Sequence, residues 1–528
     1  MEPDARTAAL GPGAGRDSMT GATRPGEPAP AEVPAADDVP WRVTRVVRNA
    51  GWVIAASAAP ALLGLAALPW LAHRLGTARF GVLLWVGTIL QVAALFDLGF
   101  GRALARALAQ SRVAPAPAPV IRAATTALAG LGLGGVAGAL VVFGAASPLA
   151  SALRGVGALH AEAVNAVRIA AGGVAATALA SGAIGALEGW GSFRAAAALR
   201  GALGASLFLA PAVVVAWRPD VVSSMAAVVV VRAVVAAVAW RGVLRAIGAR
   251  IGRPPGELDA ALVRFAAWVT VSGVVGAALA YGERLLLGAL AGAWALAVYA
   301  PPAELVLRLA GLADALVAAL LPAVAAGVAR GDERSLARLY GRLGVGLGSG
   351  MVGLCGALAL WAPEIARLWF GSALAAPSAP VMRWLALGLF LNTLARLPLA
   401  ALYAVGRSDG VARVHLIELP FYLGLATFLV DRWGATGAAV AWTIRVAVDA
   451  LALFALVHRC RLAWARAPSL GGLAAGAALV ALAALAPVDR WPVAKASITG
   501  LGFLLGAGGA FVAWRAWSLR AAPRWGER

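Results

Sequence analysis

The amino-acid sequence predicts an all-α integral membrane protein of about 14 transmembrane helices, built as two pseudo-symmetric six-helix lobes with two further C-terminal helices. Composition, the length of the apolar runs and an internal repeat predict it. Hydrophobic residues make up 61% of the 528-residue chain and charged residues only 13%, whereas a water-exposed globular surface needs about 25% charged residues. Stretches long enough to cross a bilayer, about 20 apolar residues each, recur from Trp52 to Trp517 with only short basic loops between them. They are too long and too uniformly apolar for the strands of an outer-membrane barrel, which alternate residue by residue. Helices are the remaining structure that satisfies its own backbone in lipid.

Residues 1–40 are rich in Pro, Gly, Ala and acidic side chains and hold no apolar segment, so they read as a disordered cytoplasmic tail. The tail lacks the basic start and apolar centre of a cleavable signal peptide, which leaves the first span as its own targeting signal. Apolar runs follow at 50–71, 80–101, 123–146, 164–187, 197–217, 221–240, 265–287, 296–326, 343–361, 381–404, 411–430, 436–457, 468–487 and 495–514. The expected organisation is an N-lobe at 41–245 (spans 1–6), a cytoplasmic linker at 246–260, a C-lobe at 261–460 (spans 7–12), and spans 13 and 14 with a basic tail at 461–528.

Orientation comes from the loops, because short loops rich in Lys and Arg stay in the cytoplasm. One alternate set, running from Arg42, Arg45 and Arg48 to the C-terminal Arg515, Arg520, Arg524 and Arg528, carries 27 basic residues, and the opposite set carries nine. This bias predicts an even number of spans with both termini cytoplasmic. It also accounts for the net charge of +20 without nucleic-acid binding.

Shifting the chain on itself by 216 residues lays Val47-Arg48-x-Ala50-x-Trp52-Val53 on Val263-Arg264-x-Ala266-x-Trp268-Val269, and Gly76 and Val82 on Gly292 and Val298, without a gap. Ten of the 40 positions from Thr44 to Leu83 match. Six spans separate the copies, so both run the same way through the membrane, as in transporters built from parallel repeats.

Ionisable groups inside apolar spans mark candidate function, since charge there is costly and faces protein or a wet cavity. Asp97 ends span 2, Glu283 and Arg284 lie in the outer part of span 7, and Glu304, Arg308 and Asp314 lie in span 8. Arg383 and Arg396 fall in span 10, Glu418 in span 11, and Arg445 and Asp449 in span 12. The four-residue spacing predicts Glu304–Arg308 and Arg445–Asp449 pairs. Arg232, close to a helix end, is expected to snorkel to the headgroups. The arginines suit an anionic group such as a phosphate, and the carboxylates are candidates to carry H+ or Na+ as a coupling ion. Prolines within spans, among them Pro60, Pro69, Pro301, Pro302, Pro322 and Pro398, are expected to kink helices. No Walker-type phosphate loop is present. The histidines His73, His160, His415 and His458 show no metal spacing, and Cys355 and Cys460 give no redox pattern. No metal and no cofactor is therefore expected.

Leu75-Gly76-Thr77-Ala78-Arg79-Phe80-Gly81-Val82, then Phe96-Asp97-Leu98-Gly99-Phe100-Gly101 and the stretch from Arg102 to Arg106, resemble the first two helices of bacterial polysaccharide and oligosaccharide flippases. Glu283-Arg284-Leu285-Leu286-Leu287-Gly288 and Ala297-Val298-Tyr299-Ala300 resemble the start of that family's second lobe. The family belongs to the multidrug, oligosaccharidyl-lipid and polysaccharide exporter superfamily, and the resemblance runs from Trp41 onward. It implies movement of an undecaprenyl-pyrophosphate-linked oligosaccharide to the outer leaflet by alternating access, for surface polysaccharides such as the O-antigen of lipopolysaccharide. It also implies a cationic cavity, with polysaccharide polymerase and chain-length proteins as partners. Arg284 matches the basic member of the family's acid and base pair, and Asp97 and Arg106 match the ends of its second-helix motif. The chain departs from the pattern in Glu283 where Asp is commoner, in Tyr299 followed by two prolines, and in its single lysine. A drug or metabolite exporter of the same superfamily is the nearest alternative. A membrane-embedded glycosyltransferase or polymerase is a more distant one, since it calls for a large outer loop with catalytic groups.

Overall fold

The computed structural model describes residues 43–111, 117–247, 259–465, 470–485 and 499–500, and within them every regular element is helical. Helices cover thirteen of the fourteen expected spans, the second of them broken near its end, whereas the fourteenth, apart from Thr499 and Gly500, falls outside the described residues, as do the 1–40 tail and most of the linker. The elements are α1 (Val43–Val92), α2 (Phe100–Ser111), α3 (Pro117–Gly144), α4 (Ala146–Ala152), α5 (His160–Gly189), α6 (Phe193–Val214) and α7 (Val221–Ile247). After these come α8 (Ala260–Ala329), α9 (Glu333–Leu360), α10 (Ala362–Ala404), α11 (Ser408–Arg459) and α12 (Leu470–Leu485). Nine helical runs among the described residues are long and apolar enough to cross a membrane.

Three of the longest helices are hairpins of two spans each. Gly64 and Gly87, on either side of Gly76 in α1, both pack on the Leu207–Phe208 step of α6, although a straight helix would hold them about 35 Å apart. In α8, Arg284 and Glu304 meet at 2.6 Å across Gly292, and in α11, Glu418 and Arg445 meet at 2.9 Å across Gly434. The turns need glycine: Gly76 (φ 72°, ψ 162°) and Gly292 (φ 88°, ψ −177°) occupy backbone space that side chains exclude. The prolines do not break the helices. Non-helical angles inside α1, α8 and α10 fall at Gly76, Gly292 and Gly371, because a proline that is already helical in φ fits once neighbouring helices satisfy the carbonyl it frees.

The 216-residue repeat organises the whole bundle. Pro117–Gly144 of α3 superposes in number on Glu333–Leu360 of α9 from end to end, and Ala146 at the start of α4 on Ala362 at the start of α10. Gly155 (φ 74°) falls on Gly371 (φ 70°), just as Gly76 falls on Gly292. We call α1–α7 the first copy and α8–α11 the second. A duplicated backbone that retains the Gly76/Gly292 and Gly155/Gly371 turns produces the pseudo-symmetric lobes.

The copies differ at the end of span 2. The apolar run 80–101 does not continue as one helix: it closes in a 3₁₀ turn at Ala93–Asp97, Leu98 (φ 48°) and Gly99 (φ 69°) reverse the chain, and α2 starts afresh at Phe100. The Asp97 carboxylate accepts a bond from the Gly99 amide at 2.9 Å, a local turn that competes with the helix. The equivalent positions in the second copy, Asp314 and Ala315, lie inside uninterrupted α8. At the start of α9, Asp332 accepts from the Ser335 amide at 3.0 Å, and its bonds from Ser335 hold the carboxyl below the usual carboxylate range.

The copies touch near both ends of the bundle. At the glycine-turn end Arg154 wraps the Gly292 turn: its amide donates to the Gly288 carbonyl (3.1 Å), its carbonyl accepts from the Ala293 amide (3.4 Å), and its guanidinium donates to Leu290 (2.9 Å). At the arginine-rich end the Arg106 guanidinium lies 4.7 Å from the centre of the Phe265 ring.

Candidate functional site

The second copy gathers its charges around a cavity of about 280 Å³ lined by Glu283, Arg284, Arg396, His415, Arg445 and Asp449, among other residues. Three arginines thus face it against two carboxylates. The two strands of the α8 hairpin supply the centre of the cluster. Arg284 Nη1 donates to Glu304 Oε1 at 2.6 Å, and Arg308 Nη2 donates to Glu304 Oε2 at 3.3 Å. One carboxylate therefore serves two guanidinium groups. Arg284 is 2% exposed and Glu304 5%, and among the described residues Arg284 Nε and Nη2 have no hydrogen-bond partner. Glu283, beside Arg284, is occupied otherwise: it accepts from the hydroxyls of Tyr299 (3.3 Å) and Tyr422 (2.8 Å). Arg308 also stands 5.9 Å from the centre of the Phe208 ring of the first copy.

The Arg445–Asp449 pair expected from helical spacing does not form. Arg445 Nε donates across the α11 hairpin to Glu418 Oε1 at 2.9 Å, and Asp449 faces His415 at 3.3 Å. Helical spacing permits an i,i+4 pair, as Glu304 and Arg308 show, but does not require one where the facing span offers a nearer partner. His415, Glu418 and Asp449 offer ligand atoms within 4.8 Å of one another, the arrangement among the described residues nearest to a cation site. Arg445 supplies its own positive charge there.

The first copy holds a different cavity of about 520 Å³, lined by Gln91, Asp97, Arg102, Thr177, Ser181 and Glu188, with Arg200 and with Thr270 of the second copy. Asp97 is fixed by the Gly99 amide at 2.9 Å and the Ser181 hydroxyl at 2.7 Å, and Glu188 is neutralised by Arg200 at 2.6 Å. Arg232 does not snorkel. It is 6% exposed and donates to the Thr177 hydroxyl at 2.6 Å, because α5 packs over that face of α7.

The candidate residues thus fall into groups. Glu283, Arg284, Arg396 and Arg445 line the second-copy cavity, with Glu304 and Arg308 behind Arg284, and Asp97 lines the first-copy cavity. Arg106 sits on α2 rather than on span 2, against Phe265. Arg383 is not among the residues lining either cavity. The Asp314 side chain lies outside the described residues.

Residues 46–327, more than half of the chain, match the family model described as polysaccharide biosynthesis protein. The chain belongs to this family. A Shigella flexneri protein proposed to be an O-antigen transporter is 26% identical over 411 residues, 77% of this chain and 96% of that protein. The lipid II flippase MurJ, in an inward closed conformation, shares the fold at TM-score 0.67 and 11% identity, over 88% of this chain and 99% of that one. A multidrug resistance MATE family transporter of the MOP superfamily, facing inward, does so at TM-score 0.64 and 16% identity, over 77% and 95%. This member of the polysaccharide biosynthesis family is accordingly a multi-pass membrane protein with the fold that MurJ and the MATE transporters share. Sequence reading missed Tyr299 and Tyr422 as the partners of Glu283, and His415 as the partner of Asp449. Apolar spans that each carry a carboxylate were the available signal, since such a group must find a donor on a neighbouring span.

Proposed function

We propose that this transporter carries a lipid-linked oligosaccharide, joined to undecaprenol through a pyrophosphate, from the inner to the outer leaflet of the cytoplasmic membrane for cell-surface polysaccharide assembly. The observation that carries this reading is Arg284, whose Nε and Nη2 are buried beside the second-copy cavity without an acceptor among the described residues. Buried donors left unfilled are costly, and a pyrophosphate offers guanidinium groups bidentate oxygen acceptors. Arg308, sharing Glu304 with Arg284 and reaching towards Phe208 of the first copy, would close on the same anion as the lobes alternate. The arginine-rich end, with both termini, faces the cytoplasm, and the isoprenoid tail stays in the bilayer. H+ or Na+ held by the second-copy carboxylates would couple transport to an ion gradient, and the polysaccharide polymerase and chain-length proteins would receive the product.

Leaflet transfer of a fluorescent undecaprenyl-pyrophosphate oligosaccharide by the purified protein in liposomes tests the proposal. Transfer is expected with wild type and lost with Arg284→Ala and Arg308→Ala at unchanged protein abundance. Undiminished transfer by both variants would sink the anion assignment.

A further inference from the structure

The first-copy cavity has the wrong chemistry for a phosphate. Its charged lining residues balance, Asp97 and Glu188 against Arg102 and Arg200, and two of the four are spent on each other in the Glu188–Arg200 pair. What remains is one guanidinium, Arg102, at the exposed rim, and a set of uncharged polar groups around the fixed Asp97 carboxylate. Ser181 donates to Asp97 and Thr270 to the Ala266 carbonyl, so both hydroxyls have their protons committed and their oxygens available as acceptors, whereas Thr177 donates to the Gly173 carbonyl and already accepts from Arg232. The side chain of Gln91, which also lines the cavity, carries an amide able both to donate and to accept. Asp97, held by two donors, keeps its remaining lone pairs for others. Such a lining answers a ligand that presents many hydroxyls, each of them donor and acceptor at once.

The cavity also has the size and the position for such a ligand. Its volume of about 520 Å³ falls within the range of small-molecule sites, about 300–1,000 Å³. Val269, Thr270 and Gly273 line it, and Gly276, Leu279, Ala280, Glu283 and Arg284 line the second-copy cavity. Both cavities therefore open on successive turns of the first strand of the α8 hairpin. Thr270 and Arg284 are about 21 Å apart along that helix, a span suited to a pyrophosphate trailed by several sugar rings.

We propose that the first-copy cavity is the glycan subsite, in which Gln91, Asp97, Ser181 and Thr270 bind neutral sugar residues while the pyrophosphate rests on Arg284 and Arg308. The assignment depends on the function proposed above and adds a division of labour between the lobes: the second copy holds the link common to all such lipids, and the first copy reads the sugar.

Two probes separate the readings: undecaprenyl pyrophosphate alone, and the same lipid carrying a tetrasaccharide of hexoses and N-acetylhexosamines. Their binding to the full chain in nanodiscs is measured by native mass spectrometry. Gln91→Leu combined with Thr270→Val is expected to weaken the glycosylated lipid about tenfold, as the loss of one or two neutral hydrogen bonds gives, and to leave the sugar-free lipid unchanged. Retained binding of the sugar-free lipid also reports an intact fold. Gln91→Asn alone, a milder change that keeps the amide, is expected to shift the preference in the same direction by less. Arg308→Ala should weaken both lipids alike. Equal weakening of both lipids by the Gln91 variants, or no weakening of the glycosylated one, would overturn the subsite. Failure of the wild type to bind either lipid would overturn the flippase reading, and the subsite with it.

Discussion

The two copies share a backbone but not a chemistry, and the first copy serves as a natural control for the second. The positions equivalent to Glu283, Arg284, Glu304, Arg308, Glu418, Arg445 and Asp449 are Ala67, Leu68, Thr88, Val92, Ala202, Val229 and Ala233. Not one is charged. The first copy nevertheless builds the same spans, with α3 and α9 in register and the Gly76 and Gly155 turns matching those at Gly292 and Gly371, so the fold does not need the charges. Thr177 and its equivalent Thr393 even make the same bond to the carbonyl one turn back, at 2.6 and 2.9 Å. Buried ion pairs are poor stabilisers relative to well-packed apolar residues. A cluster present in one of two structurally equivalent lobes is therefore best explained by what that lobe binds.

Substitutions that copy first-lobe residues into the second lobe test this most severely. Glu304→Thr, which installs the residue of the first copy, strands Arg284 and Arg308 and should cost about 3–5 kcal/mol of stability. Arg284→Leu with Glu304→Thr, copying both Leu68 and Thr88, should recover most of that loss and yet transport nothing. Thermal unfolding in detergent beside the liposome transfer assay measures both quantities. If the double variant remains as unstable as the single one, the cluster holds the second lobe together and the comparison breaks.

The glycine turns give the next largest effect, and an unequal one. Gly76→Ala and Gly292→Ala both force a side chain into a glycine-only region, at about 1–3 kcal/mol each. A Cβ on Gly76 meets nothing within 4 Å, whereas one on Gly292 would stand 2.6 Å from the Arg154 carbonyl oxygen. Gly292→Ala should therefore lower the unfolding temperature more than Gly76→Ala. Equal losses would mean that the Arg154 wrap yields easily.

Much of this fold was legible in the sequence because lipid imposes a blunt rule: apolar runs of sufficient length become helices. The repeat was legible as well, and carrying the 216-residue shift further would have reached Gly155 and Gly371. Three features were not legible, each because it depends on what lies across a gap in sequence. The Asp97 turn looks like the middle of an apolar run, and only the side-chain bond to the Gly99 amide shows that the helix stops there. The partners of Arg445 and Asp449 sit on the facing span, so helical spacing named the residues of the cluster but not its pairs. Arg232 lies near a helix end in sequence, yet α5 covers it.

Arg232 offers the smallest effect and the subtlest test. Its equivalent in the second copy is Val448, which is 51% exposed, so the lobes differ here in the opposite sense: the first copy buries a charge where the second presents an apolar side chain. Among the described residues the guanidinium has one neutral partner, the Thr177 hydroxyl at 2.6 Å, and its Nε has none. Burying an ion so thinly supported costs several kcal/mol, while the hydrogen bond returns about 1 kcal/mol. Arg232→Leu removes both terms and leaves Thr177 its bond to the Gly173 carbonyl, so the variant should unfold at an equal or slightly higher temperature, a gain of about 1 kcal/mol. A marked fall in unfolding temperature would show that the first copy, too, needs a buried charge for its fold, and would remove its standing as the apolar control.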